Sequence, residues 1–130
     1  MAVTISNHQR AMRVPRRRIE RLVTRILRGE RRPRMRIEVA VVDDAAIRRA
    51  NRRFLGHDHA TDVLAFPHGE IVVSTPTARA EARRRGIAAE EELLRYVAHG
   101  VLHLLGYRDK TTAARKRMWA RQERYLRAAN

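Results

Sequence analysis

The 130-residue chain contains no cysteine. That excludes thiolate ligands, disulfide bridges and a cysteine nucleophile, and it fits a reducing cytoplasm. No apolar run approaches the roughly 20 residues of a membrane-spanning helix, and the arginine-rich start lacks the continuous apolar segment of a secretory signal. A cytoplasmic protein with no membrane partner is expected. No internal repeat, linker or low-complexity stretch interrupts the sequence, so a single domain over residues 1–130 is expected. It is long enough to bury a core without metal or disulfide staples, and a bound metal would therefore serve function.

Negative charge is also scarce. Lysine and arginine total 29 against 14 aspartate and glutamate, a net charge of +15, and Lys110 and Lys116 are the only lysines. Such a surface attracts polyanions at long range, and guanidinium forks match phosphate geometry. GC-rich coding would explain arginine in place of lysine but not the size of the imbalance. Nucleic acid is the expected partner.

Hydrophobic periodicity divides the chain into nine elements. Val3-Thr4-Ile5-Ser6 alternates like a short edge strand. Ile19, Leu22, Val23, Ile26 and Leu27 fall on one helical face, with Pro15 near the start and Gly29 just past the expected end. The other face is nearly all arginine, from Arg16 to Arg28. Met35, Ile37, Val39 and Val41 predict a second strand, and Asp43 or Asp44 caps a helix carrying Ile47, Ala50 and Phe54. A polar loop from His57 to Asp62 leads to Val63–Phe66, which pairs with Ile71–Ser74 as an antiparallel hairpin through His68-Gly69. Thr75 is the expected cap of a short helix with Pro76 in its first turn, running from Thr77 to about Arg85 and closed by Gly86. Glu90, Glu91 and Glu92 open the next helix, which is apolar almost all round and hence central. Thr111 or Thr112 starts the last, with Met118, Gln122, Tyr125 and Leu126 on one face. The order β-α-β-α-β-β-α-α-α predicts an α+β fold, a small mixed sheet of about four strands packed with about five helices.

The central helix carries the chemistry. His99 and His103 are four apart, so their imidazoles project from one face and can reach one metal ion. Gly106 ends the helix and can reverse the backbone, which returns Asp109 as a third, oxygen ligand. Three protein ligands and an open position describe a catalytic zinc site, one ion per chain. The alternative is two ordinary half-buried histidines and an aspartate that begins the next helix. His57, Asp58, His59 and His68 offer a second metal-binding possibility, weighed against exposed loop histidines.

A zinc peptidase would carry a glutamate beside the first histidine as general base, and here that position is Gly100. The cleft also loses a negative charge and becomes more tolerant of a polyanion. RNA fits better than peptide. Two routes stay open at this point: attack by an activated water, or attack by RNA's own 2′-hydroxyl with the phosphate oxygen polarised.

His99 to Tyr107, together with Asn51, Thr61-Asp62-Val63-Leu64, Phe66-Pro67 and Gly69 to Ser74, resembles the YbeY family of bacterial endoribonucleases. The resemblance covers most of the chain. It implies a zincin-like fold with a central metal-bearing helix and one zinc held by three histidines in a motif H-G-x-L-H-L-x-G-x-D-H. It further implies cleavage of single-stranded RNA, maturation of the 3′ end of small-subunit ribosomal RNA, ribosome quality control, and the small subunit or its proteins as partners. His99 and His103 match the first two ligands and Gly106 the turn, while the third ligand position holds Asp109. Arg108 replaces the motif's preceding aspartate, and Leu55 stands where the family places an arginine. Arg52 and Arg53 are candidate replacements for it, and with Arg108 and Lys110 they are the candidate RNA-binding residues. The departures leave a working ribonuclease, a weakened relative that binds RNA or ribosome without cutting, and a metallohydrolase of another substrate, in that order.

Overall fold

The computed structural model describes residues 3–55 and 62–128, with the side chains of 54 and 55 excepted. The predicted features at His57, Asp58, His59 and Thr61, and the side chain of Leu55, lie outside what is described. The elements are β1 (Val3–Asn7), α1 (Arg16–Gly29), β2 (Ile37–Val42), α2 (Asp44–Leu55), β3 (Val63–Phe66), β4 (Glu70–Ser74), α3 (Thr75–Arg85), α4 (Ala89–Leu104) and α5 (Thr112–Ala128).

Four strands form one mixed sheet in the order β1-β2-β4-β3. β1 and β4 run parallel to β2, while β3 and β4 form the expected antiparallel hairpin. β1 is an edge, as its short alternating pattern predicts. Alternation along β2 and β4 divides the sheet's faces. Ile37, Val39, Val41, Ile71 and Val73 join the main core with the apolar faces of α1, α4 and α5. Val42, Leu64 and Val72 point the other way and pack with Ile47 of α2. This α+β arrangement places α4 at the centre, with Leu93, Val97, Ala98, Val101 and Leu102 all inaccessible to solvent.

Two element ends differ from expectation. α1 continues through Gly29, and the residue with positive φ after it is Arg31, at 62°. Gly29 is needed for space: a Cβ there would lie 2.3 Å from the Tyr125 hydroxyl. Ser74 caps α3, accepting from the Thr77 amide at 3.4 Å, whereas the Thr75 hydroxyl is buried and donates to Gln9 Oε1 at 3.0 Å. Gly86 closes α3 in the left-handed conformation, as expected.

Gly100 has a packing role besides leaving a general base out. Here α4 lies close against the sheet, and a Cβ at this position would meet Ile71 Cγ2 at 2.8 Å and Cγ1 at 3.2 Å. Ile71 is fully buried and stiff at χ1, so it cannot swing aside at low cost. Gly100→Ala gains about 1 kcal/mol of helix propensity but meets an overpacking cost of about 1–3 kcal/mol. A net destabilisation of about 1 kcal/mol is expected, read as a fall of about 4 °C in Tm.

Candidate metal centre

The last turns of α4 and the bend after it build the site. His99 and His103 stand with ring centroids 4.7 Å apart in an edge-to-face arrangement. The chain then turns by a Schellman motif. Tyr107 N–H donates to the Leu102 carbonyl at 3.0 Å, Gly106 N–H donates to His103 at 3.0 Å, and Gly106 sits at φ +102°. Tyr107 locks the turn to its neighbours, its hydroxyl donating to Glu30 Oε1 at 2.7 Å and accepting from Arg121 Nε at 3.1 Å. Glu30 also accepts from Tyr125, which ties α5 to the same point.

The reversal brings Asp109 back to the helix it left. Its Oδ2 lies 3.1 Å from His103 Nε2. One ligand atom from each of His99, His103 and Asp109 falls within 4.8 Å of the others. An ion about 2 Å from each atom can bridge such a group after small side-chain rotations. Two imidazoles and one carboxylate form a donor set of the kind that leaves a coordination position open for catalysis.

The environment prepares His99 for ligation. Burial lowers its pKa, the neighbouring His103 adds to the effect, and the bond to Gln122 opposes it only in part. The neutral imidazole, the form that binds metal, is therefore favoured. Gln122 Oε1 lies 3.0 Å from His99 Nδ1, while the Gln122 amide nitrogen donates to Glu123 Oε2 at 3.1 Å. A carboxylate can only accept, so the amide nitrogen must face Glu123 and its oxygen must face His99. That fixes the proton on Nδ1 and leaves the Nε2 lone pair for an ion.

This support extends outward. Arg95 clamps Glu123 through two bonds of 2.8 Å and reaches Glu92 at 3.0 Å. Arg85 also reaches the buried Glu92, at 2.9 Å. Burial pushes the Glu123 carboxyl up, but Arg95 and Gln122 together outweigh it and hold the group below the usual range.

Two clefts meet at His99. The larger, about 650 Å³, runs between α3, α4 and α5; the smaller, about 190 Å³, is lined by His99, Asp109, Arg115, Met118 and Trp119. Trp119 borders both.

The three predicted ligands are thus brought together, and the other predicted residues are placed apart from them. Arg52 and Arg53 belong to α2, which packs on the opposite face of the sheet from α4. Arg108 lines a separate cleft with Arg117, and Lys110 is exposed beside the turn. His68 stacks on Phe66 and pairs with Glu70 at 3.5 Å, in the hairpin turn. Sequence reasoning did not assign Gln122, Glu123, Arg95 or Trp119 to the site. The available signal was Gln122 itself, a polar residue on the otherwise apolar stripe of the last helix.

The chain is similar to known proteins over most of its length. The family model described as Endoribonuclease YbeY matches residues 4–130. A Chlorobaculum tepidum protein named Endoribonuclease YbeY is 41% identical over 97 residues, covering 69% of this chain and 71% of its own. A Chlorobium phaeovibrioides protein of the same name is 37% identical over 133 aligned positions, covering 96% of this chain and 90% of its own. Among solved structures, the solution structure of a Thermotoga maritima protein superimposes with a TM-score of 0.66 at 28% identity, covering 98% of this chain and 88% of that one.

Proposed function

The chain belongs to the endoribonuclease YbeY family, and from that premise we propose that it is a zinc-dependent endoribonuclease acting on single-stranded RNA. Its place is the maturation of the 3′ end of small-subunit ribosomal RNA and ribosome quality control, in the cytoplasm, with the small subunit or its proteins as partners. The observation that carries the reading is the convergence of His99, His103 and Asp109 within 4.8 Å, where two clefts meet. Among the described residues no helix is long and apolar enough to cross a membrane.

His99 through Nε2, His103 and Asp109 would hold one zinc ion, with Gln122 keeping the His99 ring in its ligating tautomer. Bound there, zinc supplies Lewis acidity toward a phosphodiester. The protein's own contribution is to hold the three donors, to keep His99 neutral, and to draw the polyanion in with its charge of +15. Arg52, Arg53, Arg108 and Lys110 are proposed to hold the phosphate backbone away from the ion.

Single-stranded and duplex RNA incubated with the zinc-loaded protein test this reading. Cutting of the single strand alone, abolished by chelator and restored by zinc, is expected. RNA that is retained but never cut would replace it with the weakened-relative reading, which the aspartate in the third ligand position favours.

Gln122→Leu removes the acceptor for His99 while filling similar space. It is expected to lower zinc affinity about 10- to 100-fold, measured by competition with a chelating dye. An unchanged affinity would show that the Gln122 contact serves packing only.

A further inference from the structure

Trp119 is the only tryptophan of the chain and the only large hydrophobic side chain exposed among the described residues, at 50%. It projects from α5 one turn before Gln122, the residue that orients His99, and it borders both clefts that meet at that histidine. An indole in that position has no structural need to be open to water.

The charges around it say what it can receive. In the larger cleft, Arg84, Arg85 and Arg95 are already engaged with Glu81, Glu92 and Glu123. Those guanidinium groups are therefore matched, and the cleft floor is no trap for a bare phosphate. One of them, Arg95, lies 5.9 Å from the centre of the indole ring, where its charge polarises the π face. On the other side stand Arg115 and Lys116, four and three residues before Trp119 and so on the same side of the helix. Both are exposed, and Arg115 donates only to neutral oxygens of Asp109 and Thr112, among the described residues. An aromatic platform beside unmatched cations is the arrangement that holds an unpaired base by its face and the adjoining phosphate by its charge.

We propose that Trp119 is a stacking site for one unpaired base of the RNA substrate, adjacent to the metal centre, with Arg115 and Lys116 holding the neighbouring phosphate. The proposal rests on the ribonuclease reading and adds a physical source for single-strand preference. A base within a duplex has both faces covered by its neighbours and cannot lie on the indole.

As the sole tryptophan, Trp119 reports on itself. The chelator-treated full chain, which keeps RNA uncut, is titrated with single-stranded oligouridylate, a duplex RNA of equal length and inorganic polyphosphate. Indole emission and binding anisotropy are followed together. Oligouridylate is expected to quench the emission; duplex and polyphosphate are expected to bind without quenching. Trp119→Ala should weaken oligouridylate binding about tenfold or more and Trp119→Phe by about threefold or less, with polyphosphate binding unchanged in both. Oligouridylate that binds without quenching, or equally well to Trp119→Ala, overturns the stacking site and leaves the ribonuclease reading standing. No binding of any RNA overturns both. Emission that shifts with protein concentration alone assigns the indole to a contact between two copies and also overturns the proposal.

Discussion

His103→Ala is expected to abolish zinc binding and to reduce cleavage of single-stranded RNA by at least about a hundredfold, since a side chain that touches the ion matters more than the groups that orient it. The substitution leaves His99 and Asp109, too few donors to retain an ion against water. His103 is the cleaner position for the test than His99. Its side chain is 31% exposed and its polar contact is with Asp109, itself 43% exposed, so truncation changes folding little. His99 is more enclosed, and removing it would also strand the Gln122 oxygen, at a cost of about 1–3 kcal/mol. Zinc content of the purified protein, an RNA cleavage assay and a thermal melt in chelator decide the matter together. Full cleavage by a zinc-free His103→Ala protein would remove the metal from the mechanism.

Local rules made the fold and the three candidate ligands legible. Glycine at 106 could only be read as a helix stop, and the four-residue spacing of the histidines fixes their common face. The Schellman turn follows from Gly106, and the 3.1 Å approach of Asp109 to His103 agrees with the return of the chain that it makes possible. Contacts between distant elements were not legible in the same way. Gln122 shares its stripe with Met118, Tyr125 and Leu126, so periodicity turns it inward without saying that it meets a histidine 23 residues earlier. Gly29 looked like a helix terminator because its partner, Tyr125, lies 95 residues beyond Glu30, which both tyrosines of that cluster grip. Charge was misleading in a further respect. The composition announces an excess of arginine, yet Arg85 and Arg95, which line the larger cleft with His99, are paired with Glu92 and Glu123 and act as struts. They hold the orienting network, and among the described residues the cation left without a carboxylate partner beside His99 is Arg115, in the smaller cleft.

Asp109→Asn separates the two meanings the third residue can have. If Asp109 serves only as a hydrogen-bond acceptor for His103, the amide is an adequate replacement, because its oxygen still accepts from Nε2–H. The melt in chelator is then expected to stay within about 0.5 kcal/mol of the parent, as for other partly exposed positions. As a zinc ligand, however, the carboxylate is a strong anionic oxygen donor, and the neutral amide oxygen that replaces it is a weak donor for zinc. At free zinc of about 100 times Kd the parent gains about 2.7 kcal/mol, a rise of roughly 10 °C for a domain of this size. A hundredfold loss of affinity places the same zinc concentration near the new Kd, where the gain is only about 0.4 kcal/mol. The zinc-dependent rise should therefore shrink to about 2 °C in Asp109→Asn, with the chelator melts of the two proteins superimposed. Equal rises in both proteins would leave Asp109 a packing partner of His103 and require the third donor to come from elsewhere in the chain.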